Sequence, residues 1–189
     1  MSIAATEIPG YVAGTWTIDP IHSEVGFSVR HMMVSKVRGK FEKVEGTFTT
    51  GADPEQSSVT ATIDPTSITT SQADRDNHLR SGDFLEVEKH PTMTYQSTGV
   101  RRDGDDFLLD GNLTIKGVAR PVTLKLEING FGPDAYGGTR AGFSAKGEIN
   151  RKDFGVSFDG AIPGTNNGVV VSDKVSLDLE IEGVLQPKE

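Results

Sequence analysis

The sequence predicts an all-β fold of antiparallel strands, and two observations carry that expectation. Apolar and polar residues alternate with period two over most of the chain, the pattern of strands that bury one face. Turn signals, chiefly Gly beside Asp or Asn, punctuate the alternating runs. One segment, Ser71 to Leu85, breaks the alternation.

The elements follow in order. A short strand over 15–18 leads to one over 24–31, where Val25, Phe27 and Val29 share a face and His31 continues their parity. Residues 39–50 form the next, and the change of apolar parity between Phe41 and Val44 predicts a β-bulge. Val59, Ala61 and Ile63 alternate within 57–64. The polar stretch 71–85 predicts one or two short helical turns, with Ser71 as N-cap, Asp74 and Asp76 in or near the first turn, and Leu79, Phe84 and Leu85 as its apolar residues. Strands over 92–99 and 106–116 flank the hairpin signal Arg102-Asp103-Gly104-Asp105. Lys116-Gly117 then turns into 120–129, where Val122, Leu124, Leu126 and Ile128 alternate, and Asn129-Gly130 predicts the next turn before 139–149. Gly160 to Val169 reads as an irregular loop, and Val175, Leu177, Leu179 and Ile181 alternate in a last strand over 173–184. A slip of one residue would turn any of these apolar sets to water, so the register is well specified.

Eight or nine such one-sided strands must hide their apolar face, either in two sandwiched sheets or in a closed barrel. An eight-stranded barrel is either filled by side chains or holds one elongated apolar ligand. Of the ten inward positions at 107, 109, 111, 113, 115, 141, 143, 145, 147 and 149, four are small: Gly111, Ala141, Ala145 and Gly147. Small inward residues leave room; equally, glycine at such places permits bends at barrel corners.

Composition removes other classes. The length of 189 residues suits one domain with a real core, and the absence of Cys excludes a disulfide scaffold, a thiolate metal site and a cysteine nucleophile. With 27 acidic against 19 basic side chains, the net charge of −8 argues against a nucleic-acid binder. No run approaches the length of a membrane-spanning helix. Residues 1–14 lack the basic region and apolar run of a secretory signal. The location expected is therefore cytoplasmic, and periplasmic or secreted only if a leader had been trimmed.

Catalytic signatures are thin. Gly130-Phe131-Gly132-Pro133-Asp134-Ala135 superficially fits a dinucleotide fingerprint, but Pro133 and Tyr136-Gly137-Gly138 predict a turn where that motif needs a helix. Gly142-Phe143-Ser144-Ala145 continues to Lys146 inside a strand and is no nucleophile elbow. His22, His31, His78 and His90 lack the paired spacing of a zinc site, so no metal and no cofactor are expected. His31 would point inward at a strand end, where an imidazole can meet the polar end of an apolar ligand; a structural histidine bonded to a carbonyl fits equally. Arg75, His78 and Arg80 gather positive character suited to a phosphate or pyrophosphate, or form a solvated face with Asp74, Asp76 and Asp83.

These stretches together resemble the YceI-like family of polyisoprenoid-binding, lipocalin-like β-barrels. The resemblance lies in Trp16 through Phe27 (Trp-Thr-Ile-Asp-Pro-Ile-His-Ser-Glu-Val-Gly-Phe), in Val37-Arg38-Gly39-Lys40-Phe41, and in the connector from Arg75 to Phe84. It continues in Gly111 through Val118, in Asn150 through Gly155 and in Val171 through Val175. The motifs keep their order from about residue 15 to 184. The resemblance implies an extended eight-stranded antiparallel barrel over 15–185, after an N-terminal extension of residues 1–14, with the helical connector around 71–85. It also implies a non-enzymatic protein, often a homodimer, that encloses a long isoprenoid or other lipid tail. Leu85 and His90 depart from it, standing where many members have aromatic residues.

The function expected is therefore binding or carriage of a polyisoprenoid, a polyprenyl phosphate or an isoprenoid quinone in the barrel, in isoprenoid metabolism, transport or storage. The apolar lining would come from Phe27, Val29, Phe41 and Phe48 in the first half of the chain. Phe107, Leu109, Leu113, Phe143, Phe158 and Leu177 would supply the rest. The parity of Phe41 and Phe158 is ambiguous. His31, Arg75 and His78 would sit near the headgroup. Two rivals stand beside this reading: an enzyme using Asp19, His22 and Asp83 as acid–base groups at the mouth, and a filled β-sandwich acting as an interaction module.

Overall fold

Pairing joins the alternating runs into one sheet that closes on itself. The computed structural model describes residues 2–32, 34–160 and 171–187. The sheet comprises β1 (Gly14–Ile18), β2 (Glu24–His31), β3 (Ser35–Phe41), β4 (Val44–Thr50), β5 (Ser58–Ile63), β6 (Ile68–Thr69), β7 (Met93–Asp103), β8 (Asp106–Ile115), β9 (Val118–Pro133), β10 (Thr139–Asn150) and β11 (Val171–Leu185). The helix α1 (Ala73–Arg80) lies between β6 and β7.

The ring runs β1-β4-β5-β7-β8-β9-β10-β11 and closes where Trp16, Thr17 and Ile18 meet Leu185, Val184 and Gly183. The result is a closed antiparallel barrel of eight strands. The long β11 serves two partners along one edge: its last residues pair with β1, and Val175 to Glu180 pair with β2. From β2 the sheet continues through β3 to β6. Three of the wall strands are thus broken midway, at 19–23, at Glu42-Lys43 and at 64–67. The parity change between Phe41 and Val44 marks the second break, which bonds across to the third: Lys43 N donates to Ser67 Oγ at 3.0 Å and Asp64 N to Lys43 O at 3.0 Å.

Beyond β6 the connector closes the wall. Arg80 donates to the carbonyls of Thr66 and Ile68, each at 3.0 Å, tying α1 to the β6 side. Lys116 Nζ donates to Gly82 O at 3.3 Å, tying the following turns to the β8–β9 hairpin. Residues before β1 cross the opposite end. Ile3 and Ile8 are buried there, Ile3 N donates to Glu55 at 2.8 Å, Glu7 pairs with Arg102, and Tyr11 Oη donates to Gly51 O at 2.6 Å.

Trp16, fully buried, anchors the closure. Its ring stacks on Phe48 at 5.7 Å, and its indole N–H donates to Thr50 Oγ1 at 2.8 Å. That hydroxyl donates onward to Val12 O at 2.7 Å, so the buried polar atoms are satisfied in series.

Four details differ from the sequence expectations. Asn129-Gly130 is not a turn: β9 runs on to Pro133, and the pairing slips there from Gly142↔Gly130 to Phe143↔Ile128. The pair therefore makes a β-bulge, and the turn follows at Asp134, whose carboxylate accepts from Tyr136 N at 2.8 Å and Gly138 N at 2.7 Å. Gln72, not Ser71, caps α1, because Ser71 has φ of 64° and the Gln72 side chain accepts from Arg75 N at 2.6 Å. The strand expected over 39–50 starts at Ser35 and is two strands, and the two-residue β6 carries no periodic signal. Of the loop expected over Gly160 to Val169, all but Gly160 lies outside the described residues.

Candidate ligand cavity

The inward glycines give no free space directly. A Cβ on Gly111 would fall 2.5 Å from the Tyr95 ring, and one on Gly147 would fall 2.7 Å from Leu124 Cδ2. Neighbouring large side chains lean over the small residues and occupy the room. Tyr95 can do so because its hydroxyl, placed over Gly111, donates to Val122 O at 2.9 Å; burial raises its pKa.

The barrel is hollow nonetheless. Phe27, Val29, Phe107, Phe143 and Leu177 point inward yet are only half-buried, because they border a cavity of about 620 Å³. That volume lies within the range of small-molecule and cofactor sites, roughly 300–1,000 Å³. All ten residues expected to line the interior border it: Phe27, Val29, Phe41, Phe48 and Phe107, and also Leu109, Leu113, Phe143, Phe158 and Leu177. The two buried clusters of the core, around Trp16 and around Tyr95, form successive stretches of its wall and share Val59, Leu79, Ile115 and Leu179.

The two ends of the cavity differ chemically. At one, Ile3, Ile8 and Tyr11 from the segment before β1 join the lining. The lining also includes His31, Asp74, Arg75, His78 and Arg151. His31 lies opposite Val171, whose carbonyl accepts from Arg151, and His78 packs on Phe158, next to the Asp159 that also accepts from Arg151, so these groups belong to one polar end. His78 is held on edge between Phe84 and Phe158, each with ring centres 5.0 Å away, and its Nε2 lies 2.8 Å from Asp83 Oδ2. Arg75 donates through Nε to Thr70 Oγ1 at 2.7 Å and through Nη2 to Thr70 O at 2.9 Å. Buried Asp76 accepts from the N–H and hydroxyl of Thr70, at 2.8 and 2.5 Å. Arg80 is committed to the carbonyls of Thr66 and Ile68 and is not among the lining residues.

Sequence reasoning missed Arg151. This guanidinium is 5% exposed and donates to Ser172 O at 2.9 Å, Val156 O at 2.8 Å, Val171 O at 3.1 Å and Asp159 at 2.9 Å. It clamps the end of β10 to the start of β11. Hydrogen bonds from Lys152, and then from Arg151, hold the Asp159 carboxyl below the usual carboxylate range. Ile3 and Ile8 were also missed; each was only an isolated apolar residue in an aperiodic segment. The ordered motif from Asn150 to Gly155 could have pointed to Arg151.

The acid–base trio does not assemble. Asp83 pairs with His78, whereas Asp19 accepts from His22 Nδ1 and Arg140 Nη1, both at 2.7 Å. The His22 hydrogen bond, then Arg140, holds the Asp19 carboxyl well below its ordinary range, so it is ionised at neutral pH. Asp19, His22 and Glu182 present donor atoms within 4.8 Å of one another. Arg140 already neutralises two of them, at 2.7 and 2.9 Å, and none of the three lines the cavity.

Fold and cavity define a class: closed β-barrels with an elongated apolar interior and one polar end. Within it the chain belongs to the YceI-like family, whose domain matches residues 16–183. It is 42% identical over 178 residues to "Protein YceI" of Escherichia coli O17:K52:H18, covering 93% of this chain and 89% of that protein. With the Salmonella newport protein of the same description it shares 40% identity at the same coverage. Among solved structures, BcnA of Burkholderia cenocepacia matches with a TM-score of 0.73 at 23% identity, over 87% of this chain and 98% of that one. A polyisoprenoid binding domain from Saccharophagus degradans, described as implicated in plant cell wall breakdown, matches at a TM-score of 0.67 and 15% identity, over 93% and 100%. Both likenesses speak to the fold.

Proposed function

We propose that the protein binds and carries a long apolar lipid, either a polyisoprenoid, a polyprenyl phosphate or an isoprenoid quinone. Its tail lies along the barrel and its head lies near His31, Arg75 and His78. The observation that carries the reading is the continuous apolar cavity of about 620 Å³ with cationic groups at one end. Burial contributes about 0.8 kcal/mol per CH₂, hence roughly 3–4 kcal/mol per five-carbon unit before ordering costs. A tail of several units therefore supplies most of the affinity, and the polar end selects headgroup and direction. The family and its polyisoprenoid-binding relative support a binding protein rather than an enzyme. A filled interaction module would bury Phe143 and Leu177 fully, and both are half-buried.

Extraction of the purified protein with organic solvent, followed by mass spectrometry, is expected to release an isoprenoid lipid. Lipid-free protein that also takes up no polyprenyl ligand at micromolar concentration would refute the proposal.

A further inference from the structure

We propose that the β2–β3 hairpin docks on an anionic lipid bilayer. At its turn Met32 is 46% and Val34 82% exposed, and among the described residues only Ile21 and Tyr136 are other large apolar side chains so placed. The arms carry cations on the outward face: Arg30 stands directly opposite Lys36, Ser28 opposite Arg38, and Gly26 opposite Lys40. Like charges placed directly across a strand pair destabilise it, so Arg30 and Lys36 call for an anion outside the sheet. From Val25 to Phe41 the sequence holds four Lys or Arg and no Asp or Glu, although the whole chain carries −8. Of the four, Lys40 alone has an ion pair among the described residues, with Glu24 at 3.7 Å.

Edge strands often carry lysine to prevent unwanted pairing, and among the described residues β3 pairs beyond β2 only at Lys40 and Phe41. That role accounts for cations along β3 but not for Val34 projecting at their tip. Apolar side chains at a protruding point, ringed by cations, match the two layers of a bilayer surface, phosphate outside and acyl chain beneath. The hairpin also adjoins the polar end of the cavity, which Val29, His31 and Val37, on the inward face of its arms, help to line. Docking would thus bring that end to the membrane. The inference rests on the outer surface alone and does not require the cavity to hold a lipid.

Flotation with phosphatidylglycerol vesicles tests it, with phosphatidylcholine vesicles as the comparison. The protein is expected to float with phosphatidylglycerol at low salt, to be released at high salt, and to stay behind with phosphatidylcholine. Each cation near an anionic surface contributes about fivefold in binding, so the double variant K36E/R38E should bind at least ~25-fold more weakly. Val34→Asp should also abolish flotation. All three side chains are exposed, so circular dichroism and thermal melting should match the parent protein. Lack of flotation by the parent protein, or unchanged flotation by both variants, overturns the proposal. So does a concentration-dependent dimer in sedimentation that Val34→Asp dissolves without any vesicle binding, since the patch would then be a self-association surface. Lipid extraction reads the cavity and flotation reads the hairpin, so the two proposals fail separately.

Discussion

Substituting Ala145 by Phe separates a hollow barrel from a filled one. Ala145 sits on β10 between Leu126 of β9 and Leu179 of β11, and all three line the cavity. Leu179 packs against both core clusters, so a ring projecting beside it would divide the interior between them. Gly147 offers no such test, because Leu124 already occupies the space over it. A five-carbon unit contributes roughly 3–4 kcal/mol by burial. If ordering removes about half, each excluded unit still weakens binding by about 2 kcal/mol, or roughly 30-fold. A tail reaching past the ring should therefore lose at least ~30-fold in affinity, while a tail ending before it should be unaffected. Native mass spectrometry or fluorescence displacement with isoprenoid alcohols of graded length reads this directly. Urea unfolding supplies the second arm. In a filled core the added ring would destabilise by about 1–3 kcal/mol through overpacking, whereas the cavity should absorb it with a change below about 0.5 kcal/mol. Equal affinity for every chain length, or an unfolding loss of the overpacked size, would refute the reasoning.

Three other expectations follow from the contacts around the cavity. Gly111→Ala drives a Cβ into the Tyr95 ring and should destabilise by about 1–3 kcal/mol; in a urea-denaturation cycle with Tyr95→Leu the combined loss should be smaller than the sum. Arg151→Met strips the carbonyls of Val156, Val171 and Ser172 of their donor and should cost about 2–3 kcal/mol, read as a lower urea midpoint. The Asp19 carboxyl is held below its ordinary pKa, first by His22 and then by Arg140. A depressed folded-state pKa contributes stability that is present above the unfolded value, about 3.9, and lost as pH falls towards the folded one. Melting temperature should therefore drop on acidification below about pH 4, and Arg140→Gln should reduce that dependence.

The strands were legible because each rests on local alternation. The parity of Val25, Phe27, Val29 and His31 already placed those side chains inward, and Lys116-Gly117 already demanded positive φ, found at 52° and 76°. What escaped depends on partners remote in sequence or on position in the sheet. Asn129-Gly130 has the chemistry of a turn, but its neighbours on β10 continue the pairing past it and convert the same flexibility into a bulge. Trp16 finds its partner Thr50 across 34 residues, and the carbonyl acceptors of Arg151 lie as far away as Ser172. The residues before β1 carry no periodicity, so nothing local announced that Ile3 and Ile8 would cover a barrel end.

The hollowness itself lies deeper than alternation can reach. Period two says which side chains point inward, and it is identical for a filled barrel and an empty one. Counting small inward residues does not decide the matter either. The space above Gly111 is taken by Tyr95 and that above Gly147 by Leu124. What decides is whether side chains from opposite walls meet. Near Trp16 they do: Phe143 of β10 meets the ring of Phe48 edge-on at 5.3 Å, although β4 lies three strands away around the ring. Val29, Phe107 and Leu177 border the cavity instead, and those side chains stay half-exposed though they face inward. A long strand ring closed by backbone pairing keeps its shape without contact across its centre, because the hydrogen-bonded ladder fixes the wall and Arg151, Arg80 and Lys116 fasten its ends and connector. Stability of the wall is thereby separated from filling of the interior, which leaves the apolar inner face free to serve as a binding surface.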